Sequence, residues 1–313
     1  MAPFNPTHVK TRQLQLLVEL TKSSSLLQAA YTLGMTQSAA SRLLASLEKE
    51  IGVSLFERHA RGVVQTQYGE ILTRRAVTAM AEITRAAADI NELFTNGKVS
   101  LSIGCMLSQS SGFLPTALRE LNQHAPNIIV HAHIDKSQLL INGLLESKYD
   151  FVVARVKDAE FNPNLIFEHV ANEPIAVYAR KGHPLSKKIK LKLKEIASYE
   201  WILPPGESDV RIRLNGLCAQ NGIPAFTGSL QTLSVPVIMS MLSHTDMVVA
   251  LPIDFARPFC ENKTISPLPI ELGITSDNIG IVSRRNQIFT HEQNIALKIF
   301  KEIGKSEEYI KKV

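Results

Sequence analysis

Within residues 26–51 the sequence writes two helices with almost no linker between them, and that spacing limits the fold more than any other feature. Leu26, Leu27, Ala30 and Leu33 predict the inward stripe of the first helix, which Gly34 is placed to end. Thr36 is a good N-cap, so the second helix is expected to run from there to about Ile51, before Gly52. Ala40, Leu43, Leu44 and Leu47 share one face of it at a 3.6-residue period. Ser38, Ser41, Arg42, Ala45 and Lys49 share the other, with Gln37 at the helix start. A helix, a tight turn at Gly34-Met35 and a second helix form a helix-turn-helix. Small outward residues let a backbone approach the major groove, where Arg42 and Gln37 can make paired hydrogen bonds to base edges. Leu14, Leu17, Val18 and Leu20 supply a further helix upstream.

The next residues extend this unit. Residues 54–58 and 63–66 read as short strands around the turn Ala60-Arg61-Gly62. Such a wing would hold Arg58, His59 and Arg61 beside phosphates, adding affinity with little sequence information. The first 75 residues carry nine Lys and Arg against five Asp and Glu, in a chain of net charge +5. That balance suits a DNA-contacting segment.

From Arg12 to Thr66 the chain resembles the LysR-type transcriptional regulators. The resemblance is carried in order by Ser25-Leu26-Leu27-Gln28-Ala29-Ala30, Met35-Thr36-Gln37-Ser38-Ala39-Ala40-Ser41-Arg42, Leu47-Glu48, Gly52, Leu55-Phe56-Glu57-Arg58, Arg61-Gly62 and Thr66. Ser38 departs from it, standing where the family commonly has proline. The resemblance implies DNA contacts from Thr36, Gln37, Ser38, Ser41, Arg42, Arg58, Arg61 and Thr66.

From Gln67 to about Phe94 there is no proline, and Leu72, Ala76, Ala79, Ile83, Ala86, Ile90 and Leu93 step alternately by four and three residues. That is an a/d stripe over about three heptads, which predicts a self-associating helix. A dimer reading two half-sites follows, and the resemblance implies tetramers built from two dimers. The expected division is a winged helix-turn-helix over 1–66, a linker helix and hinge over 67–97, and an effector-binding domain over 98–313.

In that last region strand and helix patterns alternate: 99–103, 113–123, 128–134, 137–147, 151–156 and 174–179. The rhythm predicts an α/β sandwich with mostly parallel sheets. The resemblance implies a two-lobed, periplasmic-binding-protein-like domain, with lobe one at 98–171 and 272–313 and lobe two at 172–271. Ligands of open α/β sheets sit at strand ends and helix starts, and such a hinged cleft is where an effector binds. Candidates are Met106, Ser108, Gln109 and Ser110 after the first strand, then Ser137, Arg155, Pro205 and Thr232. Hydroxyls, helix-start amides and one arginine suit an anion such as a carboxylate. Residues 151–156, 199–205 and 243–252, with Arg61-Gly62-Val63 and Tyr68-Gly69-Glu70, resemble the subgroup of regulators of sugar-binding-protein and protocatechuate-type catabolic genes. Sugars, sugar acids and aromatic acids are the effector classes this implies.

Other function classes find less support. His131-x-His133 offers two strand ligands at most, and no HExxH, GxSxG or phosphate-loop pattern is present. Cys105, Cys218 and Cys260 form no CxxC pair, so they read as ordinary thiols in a reducing compartment. No catalytic residue, metal or cofactor is expected. No apolar run reaches the roughly 18 residues of a membrane span, and the N-terminus lacks a signal-peptide core, so a cytoplasmic protein is expected. Its partners would be double-stranded DNA, a small molecule, further copies of itself and, through DNA bending, RNA polymerase. Activation and repression both remain open.

Overall fold

The computed structural model describes residues 8–59, 62–156 and 162–305. They fall into two compact units, residues 1–98 with 145–148 and residues 99–144 with 149–313.

The first unit opens with α1 (Thr11–Ser23), α2 (Leu26–Thr32) and α3 (Gln37–Ile51). Ser25 caps α2 by accepting from the Gln28 amide, and Thr36 caps α3 through Ala39. Gly52, at φ +85°, ends α3 in the left-handed region. Leu16, Leu17 and Leu20 pack on Leu26, Ala29, Ala30, Ala40, Leu44 and Leu47 in one core. Each such leucine removed from water contributes about 1.5–3 kcal/mol. Leu27, expected to point inward, is 63% exposed. The buried stripe is Leu26, Ala29 and Ala30, and Leu27 lies about 100° around the helix from its neighbour Leu26.

Strands β1 (Phe56–His59) and β2 (Gly62–Gln65) pair antiparallel as the wing, starting two residues later than expected on the first strand. Residues 54–55 stay outside the ladder because Glu48 Oε1 accepts the Leu55 and Phe56 amides at 2.7 and 3.1 Å. Helix α4 runs over Gln67–Asn96 and ends at Gly97. Its first turns pack on α1, so Ala76 joins the core with Leu72 against it. These two leave the expected dimerisation stripe, and Ala79, Ile83, Ala86, Ile90 and Leu93 remain exposed.

The second unit is built on a nine-stranded sheet whose path is β4-β3-β5-β11-β6-β9-β7-β8, with β10 beside β6. Strands β3 (Val99–Met106), β4 (Ile128–Asp135) and β5 (Phe151–Arg155) are parallel, with α5 (Phe113–His124) and α6 (Ser137–Leu145) between them. Strand β6 (Leu165–Arg180) follows, then α7 (Leu193–Ala197), β7 (Trp201–Leu203), α8 (Asp209–Gln220) and β8 (Leu230–Gln231). Next come α9 (Val235–His244), β9 (Val248–Pro252), α10 (Ile253–Glu261) and β10 (Ile265–Pro267). Strand β11 (Thr275–Arg284) returns across the sheet before α11 (His291–Lys305).

The expectation of mostly parallel sheets is corrected here. Strands β7, β8 and β9 pair parallel, but β11 pairs antiparallel with β5 and β6, and β6 pairs antiparallel with β9 and β10. The 16-residue β6 pairs with β11 over its first part and with β9 over its last. It therefore serves both lobes, and its antiparallel ladders join two parallel α/β halves. Phe300 packs edge-on to Phe113 and Phe151 in one lobe, and Trp201 stacks on Phe226 at 4.1 Å in the other.

Candidate DNA interface and effector cleft

On α3 the residues expected to read DNA divide by exposure. Gln37, Ser38, Arg42, Ala45 and Lys49 face water, Ser41 is half-buried, and Ala40, Leu44 and Leu47 fill the core behind them. Thr36 is exposed but already caps α3 and shares a 3.0 Å hydrogen bond with Ser38. Thr66 does comparable work for α4. Its hydroxyl accepts from the Gly69 amide at 3.1 Å and donates to the Ser54 carbonyl at 2.8 Å, tying the wing to the helix. The Arg58 backbone lies in β1, while its side chain and all of Arg61 lie outside the described residues. Exposed His59 sits 3.7 Å from Glu57.

In the second unit a cleft of about 570 Å³ opens at strand ends and helix starts. Met106, Ser108, Ser137, Arg155, Pro205 and Thr232 line it, bringing together six of the eight residues expected there. Gln109 and Ser110 do not line it. Both lie where the chain turns through a 3-10 segment, Leu107–Gln109. That turn buries Gln109, which donates to Glu173, and directs the Ser110 hydroxyl onto the Leu107 carbonyl. The Ser137 hydroxyl accepts the Arg155 amide at 3.0 Å, and the Thr232 hydroxyl accepts the Ser234 amide.

The cleft also holds acids that sequence reasoning missed. Arg155 Nη2 lies 3.0 Å from Glu173 Oε2, and Nη1 lies 3.7 Å from Asp209 Oδ2. Asp209 starts α8, is held by Arg213 at 2.9 Å, and accepts from the Ser276 hydroxyl. Burial pushes the Glu173 carboxyl above the ordinary range, against the pull of Ser108, Arg155 and Gln109. Burial also penalises the Asp209 charge, but Ser276, Arg213 and Arg155 together hold its carboxyl below the ordinary range. Lys136 and Glu207, both exposed, sit 3.6 Å apart on the lining. Arg155 Nε is buried without a hydrogen-bond partner. Leu107, Ile134, Ile202, Leu251 and Phe255 supply an apolar floor, a composition usual for small-molecule sites.

Among the described residues no group of three or more His, Cys, Asp or Glu could hold a metal ion, and no helix is long and apolar enough to cross a membrane.

Two family models match the chain. The bacterial regulatory helix-turn-helix protein model of the LysR family covers residues 11–70, and the LysR substrate binding domain model covers 97–291. The chain is 28% identical to the HTH-type transcriptional regulator GbpR of Azospirillum brasilense, over 89% of this chain and 82% of that protein. It is 25% identical to the HTH-type transcriptional regulator PcaQ of Agrobacterium fabrum, over 88% and 89%. Among solved structures, a full-length OxyR variant from Pseudomonas aeruginosa superposes with a TM-score of 0.62 at 18% identity, covering 97% of both chains. The effector binding domain of QuiR in complex with shikimate superposes with a TM-score of 0.54 at 16% identity, covering 67% of this chain and 99% of that one.

Proposed function

The chain belongs to the LysR family of transcriptional regulators, and from that premise we propose which residues read its DNA and what its cleft binds. As a LysR regulator it binds DNA and a small-molecule effector and forms oligomers; it is a regulator rather than an enzyme.

In our reading α3 enters the major groove. Gln37, Ser38, Ser41 and Arg42 face base edges, and Thr36 and Thr66 order the backbone that carries them. Arg58 and Arg61 on the wing hold phosphates, as the sequence pattern alone suggests. Supporting this is the exposure of Gln37, Ser38 and Arg42 over a face of α3 whose opposite side is core. Two copies joined along α4 would present two such helices to a dyad, and dimers would pair into tetramers.

The effector we propose is a small oxygen-rich molecule: a sugar, a sugar acid or an aromatic acid. The observation that carries this is Arg155 Nε, a buried donor without a partner on the lining of a 570 Å³ cleft. An acceptor oxygen of the effector would give this guanidinium its missing partner, and Ser108 lines the same cleft. Because β6 serves both lobes, an effector touching both would bias how they close. Closure would then change the spacing of the DNA heads, the bend of the DNA and the access of RNA polymerase.

A DNase footprint on the DNA upstream of the gene tests the reading, with and without a panel of sugars, sugar acids and aromatic acids. Dyad-symmetric protection whose extent changes with one of these compounds is the expected result. Protection no better than on random DNA would remove the DNA half, and a footprint deaf to every compound would remove the effector half.

A further inference from the structure

The densest run of positive charge in the sequence lies in the effector-binding unit, not in the helix-turn-helix segment. Residues 180–194 hold Arg180, Lys181, Lys187, Lys188, Lys190, Lys192 and Lys194 and no Asp or Glu. The whole chain is +5, so without this stretch of +7 it would be −2.

The segment is pinned from below. Leu185, Leu191 and Ile196 are buried in the core around Trp201. The Leu191 amide donates to Pro269, and Trp201 Nε1 donates to the Ile196 carbonyl. Buried His183 accepts the Leu185 amide at Nδ1 at 3.1 Å, which leaves Nε2 as the donor to the Asp246 carbonyl at 3.1 Å. With Leu185 and Leu191 sunk into the core and Leu193 packed against it, the lysines around them are left on the outside. All six are exposed, and Ile189 among them is 99% exposed.

Two cations of the stretch are neutralised within the chain, Arg180 by Asp246 at 2.7 Å and Lys188 by Glu195 at 2.5 Å. Lys181, Lys187, Lys190 and Lys194 have no acidic partner among the described residues. Holding unneutralised cations together on a fixed backbone costs repulsion that a polyanion relieves. The polyanion this protein binds is DNA, whose phosphates reward each matched lysine with released counterions.

We propose that this strap on the effector-binding unit is a second DNA-contacting surface, which grips backbone phosphates outside the sites read by α3. It would add affinity and bend-dependent contact without adding sequence preference. The inference rests on the chain being a DNA-binding regulator, and the test separates the two.

Full-length protein is titrated with a long random-sequence duplex between about 50 and 200 mM salt, a range over which phosphate contacts dominate affinity. The comparison is with a variant carrying Lys181→Gln, Lys187→Gln, Lys190→Gln and Lys194→Gln. Loss of up to four phosphate contacts should flatten the log–log salt slope by about 0.9 for each contact. In the unaltered protein, bound DNA should protect Lys187, Lys190 and Lys194 from acetylation, a readout that needs no variant to fold. Superimposable salt slopes together with unprotected lysines overturn the proposal while leaving DNA binding through α3 intact. So does loss of binding to anionic-lipid vesicles in the variant with DNA binding unchanged. Failure of the unaltered protein to bind any duplex removes the premise as well.

Discussion

Arg155 Nη2 on β5 and Glu173 Oε2 on β6 lie 3.0 Å apart although β11 runs between the two strands, and the Glu173 side chain is only 3% exposed. A buried carboxylate that loses its cation is left uncompensated, which costs about 3–5 kcal/mol. Arg155→Ala should destabilise the effector-binding unit by that order, read by denaturant titration of fluorescence from Trp201, the single tryptophan. Arg155→Ala combined with Glu173→Gln should recover much of the loss, because the second change removes the stranded charge. Additive losses would show that the pair is not coupled. The same double variant should keep DNA binding and lose its response to the effector.

The charge of the effector can be read from pH. Burial raises the Glu173 carboxyl, and nearby Asp254 raises it further, while Ser108, Arg155 on β5 and Gln109 from the 3-10 turn pull it down. An effector carboxylate on Arg155 would compete with Glu173 for the same guanidinium, raising the Glu173 carboxyl again. Binding an anion should therefore take up protons and strengthen as pH falls through the raised Glu173 pKa. A neutral sugar should show neither effect. Calorimetric titration in two buffers of different ionisation enthalpy measures the uptake directly, and Glu173→Gln should abolish it. An acidic effector that binds without proton uptake would place its carboxylate away from Arg155.

Gly62 joins the wing to the helices through a close approach. Its φ is +134°, and a Cβ there would sit 2.3 Å from the Ser24 carbonyl oxygen, which also accepts the Val63 amide at 3.0 Å. Gly34, at φ +62°, has nothing within 4 Å of the same position. Gly34→Ala should cost about 1–2 kcal/mol, the left-handed penalty alone. Gly62→Ala should cost more and should weaken DNA binding by moving the wing. Thermal unfolding of the two variants, followed by circular dichroism, checks the order; equal losses would mean that the wing shifts freely.

Local periodicity explains how much of this was legible in the sequence. The caps at Ser25 and Thr36, the stop at Gly52 and the apolar face of α3 all act within a few residues, so their signals survive in one dimension. That Met106, Ser137 and Arg155 fall near strand ends and helix starts was legible for the same reason, although β3 runs three residues past the expected end at 103. Glu173 was not. It lies in the middle of a strand, 18 residues from Arg155, and nothing local distinguishes it from a surface glutamate. Leu72 and Ala76 fit the heptad stripe in register, and only the docking of α1 onto α4 assigns them to the core. The antiparallel ladders of β6 and β11 join residues about a hundred positions apart, beyond any windowed pattern.

Arg42 should separate specific from non-specific binding. It is exposed on the outer face of α3, one turn in from the helix start. A bidentate contact to one base pair is worth about 1–3 kcal/mol of discrimination. Arg42→Ala should thus weaken operator binding roughly 5- to 150-fold by that contact alone, while random DNA loses little. Competition titrations with operator and random duplexes give the ratio, and equal losses on both would assign Arg42 to phosphate.

The exposed half of the α4 stripe sets the last expectation. Ile83, Ile90 and Leu93 are 49, 66 and 56% exposed in the single chain, at a heptad spacing that returns them to one face. Burying each such side chain against a second copy contributes about 1.5–3 kcal/mol, and a carboxylate there must instead be desolvated or excluded. Ile90→Asp should shift the protein toward monomer in sedimentation velocity at micromolar concentration, with the helix content of α4 unchanged. Ile71, equally exposed at 58% but outside the stripe, is the control, and Ile71→Asp should leave the oligomer intact. If both variants dissociate alike, association is not specific to the stripe; if neither does, the copies meet elsewhere. A monomeric Ile90→Asp protein should then bind a single half-site and lose the cooperative occupancy of the dyad. That loss would link the helix to operator recognition and not only to assembly.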